Sequence, residues 1–211
     1  MRKTIILFSI IICAISAKAQ HTGYSAVIDL SKFKTAFLEV AQKTATIKSD
    51  FIQEKNLSML SEKITSKGKF WFKKNNQVRM EYSQPFQYLM IINQDKVYIK
   101  DGTKENTIST KSNKLFQQIN KITVDCVQGT ALDNPDFSTK VFENKSCYLV
   151  ELTPVSKSLK DYFSTINIII DKKDYSVSTI VMNESSGDNT TIHFINKEFN
   201  SNLPDALFSI K

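Results

Sequence analysis

Residues that interrupt regular structure are scarce in this sequence. Of its 211 residues, only 5 are glycine and 4 are proline, and no repeat, low-complexity tract or linker rich in these residues divides the chain. A length of this order suits one domain with a sizeable core. We therefore expect a single domain, which covers residues 20–211. The residues before it form a short amino-terminal segment that we expect to be removed, for the reasons given below.

Residues that most often build catalytic and metal sites are also rare. The two histidines, His21 and His193, do not stand near a cysteine, serine or acid in a spacing typical of a nucleophile, and H-x-x-x-H and C-x-x-C spacings are absent. Acids such as Asp95 and Asp101 lie at predicted hairpin edges, and "SSGDN" at 185–189 is predicted to be a hairpin turn, not a phosphate loop. The sequence predicts no enzyme, no metal site and no cofactor.

Cysteine is too infrequent for a disulfide framework. Of three cysteines, Cys13 lies in the segment expected to be removed, which leaves Cys126 and Cys147. An oxidising compartment would allow these two to form a bridge, but no local spacing links them. The sequence leaves the bridged and the free states open.

Positive charge is in modest excess and is not clustered. The formal net charge is +7, spread over many lysines without a basic block. Nucleic-acid binding proteins typically show a clustered basic surface, so we expect no nucleic-acid partner. A net positive charge of this size can still favour the approach of the protein to an anionic membrane or an acidic partner.

The amino-terminal residues have the composition of a secretory signal peptide. Arg2 and Lys3 precede an apolar stretch at residues 4–17, and Ala17-Lys18-Ala19 forms a small-x-small cleavage site. A membrane anchor is the alternative, but the apolar stretch is shorter than the roughly 20 residues that span a bilayer. The isoleucines before Cys13 do not match a lipoprotein signal. We therefore predict cleavage after Ala19 and a soluble, exported protein.

Apolar spacing predicts two helices. The first begins near Leu30, with Ser31 or Asp29 available as N-cap. Its buried stripe follows spacings of three and four residues and contains Phe33, Phe37, Val40 and Ala41. The second is predicted over residues 112–122. The remaining sequence consists of short strand-like runs separated by turn residues.

Alternation along these runs assigns one apolar face to each strand. In "KGKFWFKK" it places Phe70 and Phe72 on one face and Trp71 on the other. The same period predicts an inward-facing set in the later strands: Val78, Met80, Tyr82, Leu89, Ile91, Val97, Ile99, Ile166, Ile168, Ile170, Ile180, Ile192 and Phe194. The simplest closure is an α+β fold, in which a strongly curved antiparallel β-sheet forms an incomplete, half-open β-barrel closed by helices.

The order of short motifs is more specific than any one of them. After the first helix come Phe51-x-Gln53, Gly68-x-Phe70-x-Phe72, Arg79-Met80-x-Tyr82-x-x-Pro85, the hairpin at 89–101, "YLVELTP" at 148–154 and closing hairpins over 166–210. This order resembles LolA, the family of periplasmic lipoprotein carriers. Met80 stands where members commonly have tryptophan, and Asn75 follows Lys73 and Lys74 where members have proline.

The resemblance implies a carrier whose apolar interior receives the acyl chains of lipoproteins and shuttles them through the periplasm from the inner to the outer membrane. It implies three partners: lipoproteins, an inner-membrane ABC-type release complex and an outer-membrane acceptor, with the carrier acting as a monomer. Each buried CH₂ of a chain contributes roughly 0.8 kcal/mol, so such cargo needs an escort through water. Met80 and Met90 are adaptable side chains suited to such an interior.

The resemblance also names candidate site residues. Lys74, Arg79 and Trp71 are candidates for contacts with a lid or a partner. The predicted lipid cavity contains Phe37, Phe51, Phe70, Phe72, Val78, Met80, Tyr82, Leu89, Ile91, Val97, Ile99, Ile168, Ile180 and Phe194.

Three alternatives remain open at this point. Periodicity alone would place the same aromatic residues in an ordinary core. A LolA-like paralogue could carry another acyl lipid or a pigment, and a half-barrel of this kind could serve as a lipid-sensing domain.

Overall fold

The computed structural model describes residues 21–109, 122, 125–126 and 129–210. The predicted signal peptide lies outside these residues. So does the predicted second helix, apart from Ile122, which is helical.

Strands dominate the described chain. The elements are β1 (Ser25–Ala26), α1 (Leu30–Lys43), β2 (Thr46–Leu57), β3 (Glu62–Lys73), β4 (Gln77–Gln84), β5 (Tyr88–Asn93), β6 (Lys96–Asp101), β7 (Lys104–Ser109), β8 (Phe137–Glu143), β9 (Cys147–Pro154), α2 (Lys157–Lys160), β10 (Phe163–Asp171), β11 (Val177–Glu184) and β12 (Asn189–Phe199). Short 3₁₀ turns lie at Ala131–Asp133 and Asp205–Phe208.

Helix α1 begins and faces as the sequence predicts. Of the two candidate caps, Asp29 is the one used, because its carboxylate accepts the backbone N–H of Lys32 at 2.9 Å. Phe33, Phe37 and Ala41 are buried along one stripe. The helix ends at Lys43, and the next residue, Thr44, caps it with a hydroxyl that donates to the carbonyl of Val40 at 2.9 Å.

The strands form one antiparallel sheet that curves without closing. Their order is β1-β8-β9-β10-β11-β12-β2-β3-β4-β5-β6-β7, so β12 and β2 join the two halves of the chain at its centre. The β3–β4 turn uses Asn75 and Asn76 at φ of 73° and 57°, left-handed conformations in which asparagine is more frequent than most other residues. The predicted α+β half-open barrel is confirmed.

Two apolar clusters lie on the inner face of the sheet, which is the face of Phe70 and Phe72. The first, which we call the helix cluster, joins α1 to strands β8–β11 and includes Phe33, Phe37, Val150, Leu152, Ile166, Ile168, Ile170 and Ile180. The second, the strand cluster, consists of Phe51, Phe70, Phe72, Val78, Met80, Ile92, Val97 and Ile192. Met182 and Phe194 pack against both clusters.

The predicted faces of β5 are wrong. Met90 pairs with Met80, and Ile92 with Val78, which places Met90 and Ile92 on the inner face and turns Leu89 and Ile91 to the outer face. The run "YLMII" is apolar throughout, so alternation cannot distinguish its two faces.

The outer face at β4 and β5 is covered by the carboxyl-terminal segment, residues 203–208. Arg79 Nη1 donates to the carbonyl of Leu207 at 3.1 Å, and Asn93 Nδ2 donates to the carbonyl of Phe208 at 3.0 Å. Phe208 is fully buried, and Ile91 is 3% exposed. Trp71 is only half-buried on this face, with the Arg79 guanidinium 5.6 Å from its ring centroid. The apolar residues of β5 are therefore shielded from solvent on both faces, by the strand cluster on the inner face and by the carboxyl-terminal segment on the outer face.

Candidate functional site

A cavity of about 60 Å³ lies between the second half of α1 and the inner face of the sheet. Its lining consists of Phe37, Val40, Ala41, Thr44, Ile47, Ser49, Phe70, Cys126, Tyr175, Ser176, Val177, Ile180, Phe194, Lys197 and Phe199. Most of these side chains are apolar. Pockets for small-molecule ligands typically measure roughly 300–1,000 Å³, so the cavity as it stands has room for only part of one alkyl chain.

Local sequence patterns build this lining from two directions. The helix contributes Phe37, Val40 and Ala41, which lie on one side of α1 because they are three and four residues apart. The strands contribute side chains that alternate inward, such as Ile180 on β11 and Phe194 on β12. The cavity lies where the helix cluster and the strand cluster meet.

Of the residues predicted from the sequence to form a lipid cavity, four line the observed cavity: Phe37, Phe70, Ile180 and Phe194. The others do not. Ile168 belongs to the helix cluster, and Leu89 and Ile91 lie on the outer face. Seven residues belong to or pack against the strand cluster: Phe51, Phe72, Val78, Met80, Tyr82, Val97 and Ile99.

The strand cluster is closely filled in its own right. The ring of Tyr82 meets that of Phe51 at 4.8 Å between centroids, and its hydroxyl donates to Gln53 Oε1 at 3.0 Å. Burial raises the pKa of Tyr82 to about 12. The geometry here is that of core packing, and a lipid-binding role for these side chains stays a prediction.

Sequence reasoning missed most of the polar part of the lining. Ser49 shares the inner face with Ile47 and Phe51, and period-two alternation through "TIKSDF" could have found it. Lys197 could not be found in this way, because a bulge in β12 interrupts the alternation there. Its ammonium lies 3.0 Å from Asp171 Oδ2.

Hydrogen bonds from residues just beyond the ends of β3 and β12 hold the carboxyl end of α1 over the cavity. Lys74 Nζ donates to the carbonyl of Gln42 at 2.6 Å, and Asn200 Nδ2 donates to that of Lys43 at 3.1 Å. A cation at a helix carboxyl terminus is favourable because carbonyls there lack intrahelical partners. Of the three candidates for lid or partner contacts, Lys74 therefore touches α1, whereas Arg79 and Trp71 lie on the outer face.

The site does not present a reactive thiol. Cys126 and Cys147 are buried free thiols, which decides the question left open by the sequence. Burial raises the pKa of Cys126 far above its usual range, so this cavity-lining thiol stays protonated. Among the residues that the structure describes, no group of three or more His, Cys, Asp or Glu side chains could hold a metal ion.

Both histidines have structural partners. His21 Nε2 lies 2.9 Å from Glu151 Oε2, and His193 Nδ1 lies 3.1 Å from the hydroxyl of Thr179. Chemically, the described site is an apolar container. None of the helices in the described part of the chain has the length and apolar character to cross a bilayer.

Comparison with known families agrees with this geometry. The model of the family described as "Outer membrane lipoprotein carrier protein LolA" matches residues 42–211. No curated protein matches the sequence significantly.

Several solved structures are similar to this chain. A LolA superfamily protein from Nitrosomonas europaea is 12% identical, with 84% of this chain and 97% of that chain covered and a TM-score of 0.45. A conserved protein from Thermus thermophilus is 10% identical, with 82% and 91% covered and a TM-score of 0.50. In the MucA/MucB complex of Pseudomonas aeruginosa the matched chain is 8% identical, with 85% and 60% covered and a TM-score of 0.50. At these identities the likeness concerns the fold alone.

Proposed function

This chain belongs to the LolA family of outer membrane lipoprotein carrier proteins, and from that premise we propose that it carries lipoproteins through the periplasm, from the inner to the outer membrane, with their acyl chains held beneath α1. The observation that carries the proposal is the cavity between α1 and the inner face of an unclosed sheet, with its largely apolar lining. The protein binds its cargo and does not transform it.

The energetics favour a binding site that opens. A chain of about 15 CH₂ groups gains roughly 12 kcal/mol when fully buried, which is enough to offset a substantial rearrangement of the protein. The cavity of about 60 Å³ must widen to receive it, and α1 is the element that can move without breaking the sheet. Met182, which packs against both clusters, is an adaptable side chain at the seam that must adjust.

The partners follow from the carrier role. In this proposal, residues 20–211 form the exported carrier, which acts as a monomer after signal-peptide removal. It receives lipoproteins from an inner-membrane ABC-type release complex and delivers them to an outer-membrane acceptor. Family membership supports this assignment.

Two neighbouring residues of β12 provide a matched test. Phe194 lines the cavity, whereas Ile195 is 41% exposed and follows it on the opposite face. Phe194→Glu and Ile195→Glu introduce the same charge one residue apart. Purified variants would be mixed with detergent-solubilised, acylated lipoprotein, and the complex would be measured by size-exclusion chromatography after detergent removal.

We expect wild type and Ile195→Glu to hold the lipoprotein in solution and Phe194→Glu to lose it, because a charge in the apolar lining is strongly unfavourable. A thermal melt would confirm that Phe194→Glu is folded. Wild-type protein that takes up no acylated lipoprotein would contradict the proposal. Mass spectrometry of organic extract from protein purified out of its native envelope would reveal another acyl lipid or a pigment as cargo.

A further inference from the structure

One polar group in the cavity lining has no hydrogen-bond partner within the described part of the chain. Ser49 is 3% exposed and its hydroxyl makes no hydrogen bond to any of the residues that the structure describes, although it lines the cavity. It stands on the inner face of β2, paired with Phe70 on β3. Leaving a buried hydroxyl unpaired is unfavourable, so an acceptor entering the cavity at this point would be stabilised.

A β-bulge marks the same level of the cavity on the neighbouring strand. Ile195 pairs with Asp50, but Glu198 pairs with Lys48, so two residues of β12 stand across from Ser49. One is Asn196, at φ of 54°, whose amide donates to Asp50 Oδ2 on the outer side. The other is Lys197, which lines the cavity. Bulges commonly redirect a side chain beside a functional site.

The ammonium group of Lys197 is already fully used. Its Nζ contacts Asp171 Oδ2 at 3.0 Å, Ser176 Oγ at 2.5 Å and the carbonyl of Val177 at 3.5 Å. An ammonium has three N–H donors, and the Asp171 carboxylate balances its charge. At this level of the described lining, the open hydrogen-bond donor is therefore the neutral hydroxyl of Ser49.

We propose that Ser49 positions a bound acyl chain by donating a hydrogen bond to its ester or amide carbonyl, with the alkyl part against Phe70, Ile180 and Phe194. This inference rests on the proposed carrier function and adds the chemical class that the cavity selects. An ester or amide carbonyl is a neutral acceptor, so it can pair with the neutral Ser49 hydroxyl without bringing a charge into the cavity. An ionised carboxylate would enter an apolar cavity without an open cation, and a hydrocarbon would leave the hydroxyl unpaired.

Three fluorescent probes, which differ in the polar group that they carry, separate these classes. They are the methyl ester of cis-parinaric acid, free cis-parinaric acid, and diphenylhexatriene, which has no carbonyl. The test variant is Ser49→Ala. Ser201→Ala is the matched control, because the Ser201 hydroxyl is also buried without a partner among the described residues but lies outside the cavity lining.

We expect wild type to bind the ester at least as tightly as the acid. Ser49→Ala should weaken ester binding by about 3- to 10-fold, the range set by one neutral hydrogen bond. Diphenylhexatriene binding should be unchanged, Ser201→Ala should match wild type with all probes, and Ser49→Thr, which keeps the hydroxyl, should restore ester binding.

Three results would overturn the inference. An equal loss for diphenylhexatriene would show that Ser49 affects only the shape of the cavity, and unchanged ester binding would show that it is no donor. Tighter binding of the acid than of the ester, lost in Ser49→Ala, would indicate a carboxylate site. Wild-type protein that binds none of the probes would instead remove the carrier proposal itself.

Discussion

The strand cluster and the cavity beneath α1 both use apolar side chains of the inner face, but only the strand cluster is filled. Phe72 and Val97 are fully buried there, and the Phe51 ring lies over Gly68 so closely that a Cβ at Gly68 would come within 2.7 Å of it. The same Cβ would lie 2.2 Å from the carbonyl of Glu81. Glycine is thus required at this position in β3.

The cavity, in contrast, is bounded by two elements that meet without filling the space between them. Its helical side is held at the carboxyl end by hydrogen bonds such as that from Lys74, and its sheet side contains the unpaired hydroxyl of Ser49. The comparison shows that an aromatic-rich strand such as β3 indicates a core as readily as a lipid site. In the proposed function, the acyl chain binds at the seam between the inner face of the sheet and α1.

The largest expected effect comes from truncating the same side chain in each region. Phe72→Ala should cost about 3–5 kcal/mol of unfolding free energy, as is typical of a filled aromatic site. Phe199→Ala should cost less than about 1.5 kcal/mol, because Phe199 lines the cavity and is 37% exposed. Urea denaturation of both variants measures the difference. Equal losses would mean that the two regions are packed alike.

A smaller effect is expected at the helix cover. Lys74→Gln weakens the contact with the Gln42 carbonyl, a charge–dipole interaction typically worth about 0.3–1 kcal/mol at an exposed helix end. The apparent rate at which this variant takes up a fluorescent probe should therefore rise about 2- to 5-fold. Stopped-flow fluorescence measures this rate. Lys96→Gln, at the exposed first residue of β6, is the control. Slower uptake in Lys74→Gln alone would argue against α1 as the moving element.

The smallest effect concerns acid stability on the helix side of the sheet. Glu143 accepts hydrogen bonds from Lys172 Nζ at 2.6 Å and from the backbone N–H of Ile28 at 2.9 Å, which lower its pKa below the usual 4.5. Because the folded-state pKa is the lower one, this stabilisation is present above pH 4.5 and is lost as the pH falls through the folded value.

Glu143→Gln should therefore reduce stability by less than about 1 kcal/mol near neutral pH and flatten the decline below pH 4.5. Chemical denaturation across pH 3–7 measures both changes. A variant whose pH profile keeps the wild-type shape would show that this carboxylate is not coupled to folding.

The sequence predicted the fold because its local patterns agree with one another. Period-two alternation correctly assigns Phe70, Val78 and Ile168 to the inner face of the sheet. The spacing of Phe33 and Phe37 correctly predicts that α1 packs on the sheet. These patterns report burial. They could not identify the cavity, because a side chain next to an empty space and one in a filled core alternate in the same way.

The failures have specific physical causes. Alternation assigns Ile91 to the wrong face because β5 is apolar on both sides, and the residues that cover its outer face come more than a hundred positions later in the chain. Lys197 enters the lining through a bulge, which no periodic pattern predicts. Both depend on long-range contacts that a local reading of the chain does not contain.

The central claim is that acyl chains lie beneath α1 and not within the strand cluster, and photo-crosslinking tests it most directly. A lipoprotein with diazirine-bearing acyl chains would be loaded onto the wild-type protein, irradiated, and mapped by mass spectrometry of peptides. We predict crosslinks at the cavity-lining positions of α1 and β11, including Phe37, Val40 and Ile180. Crosslinks confined to strand-cluster positions such as Met80 and Val97 would contradict the account.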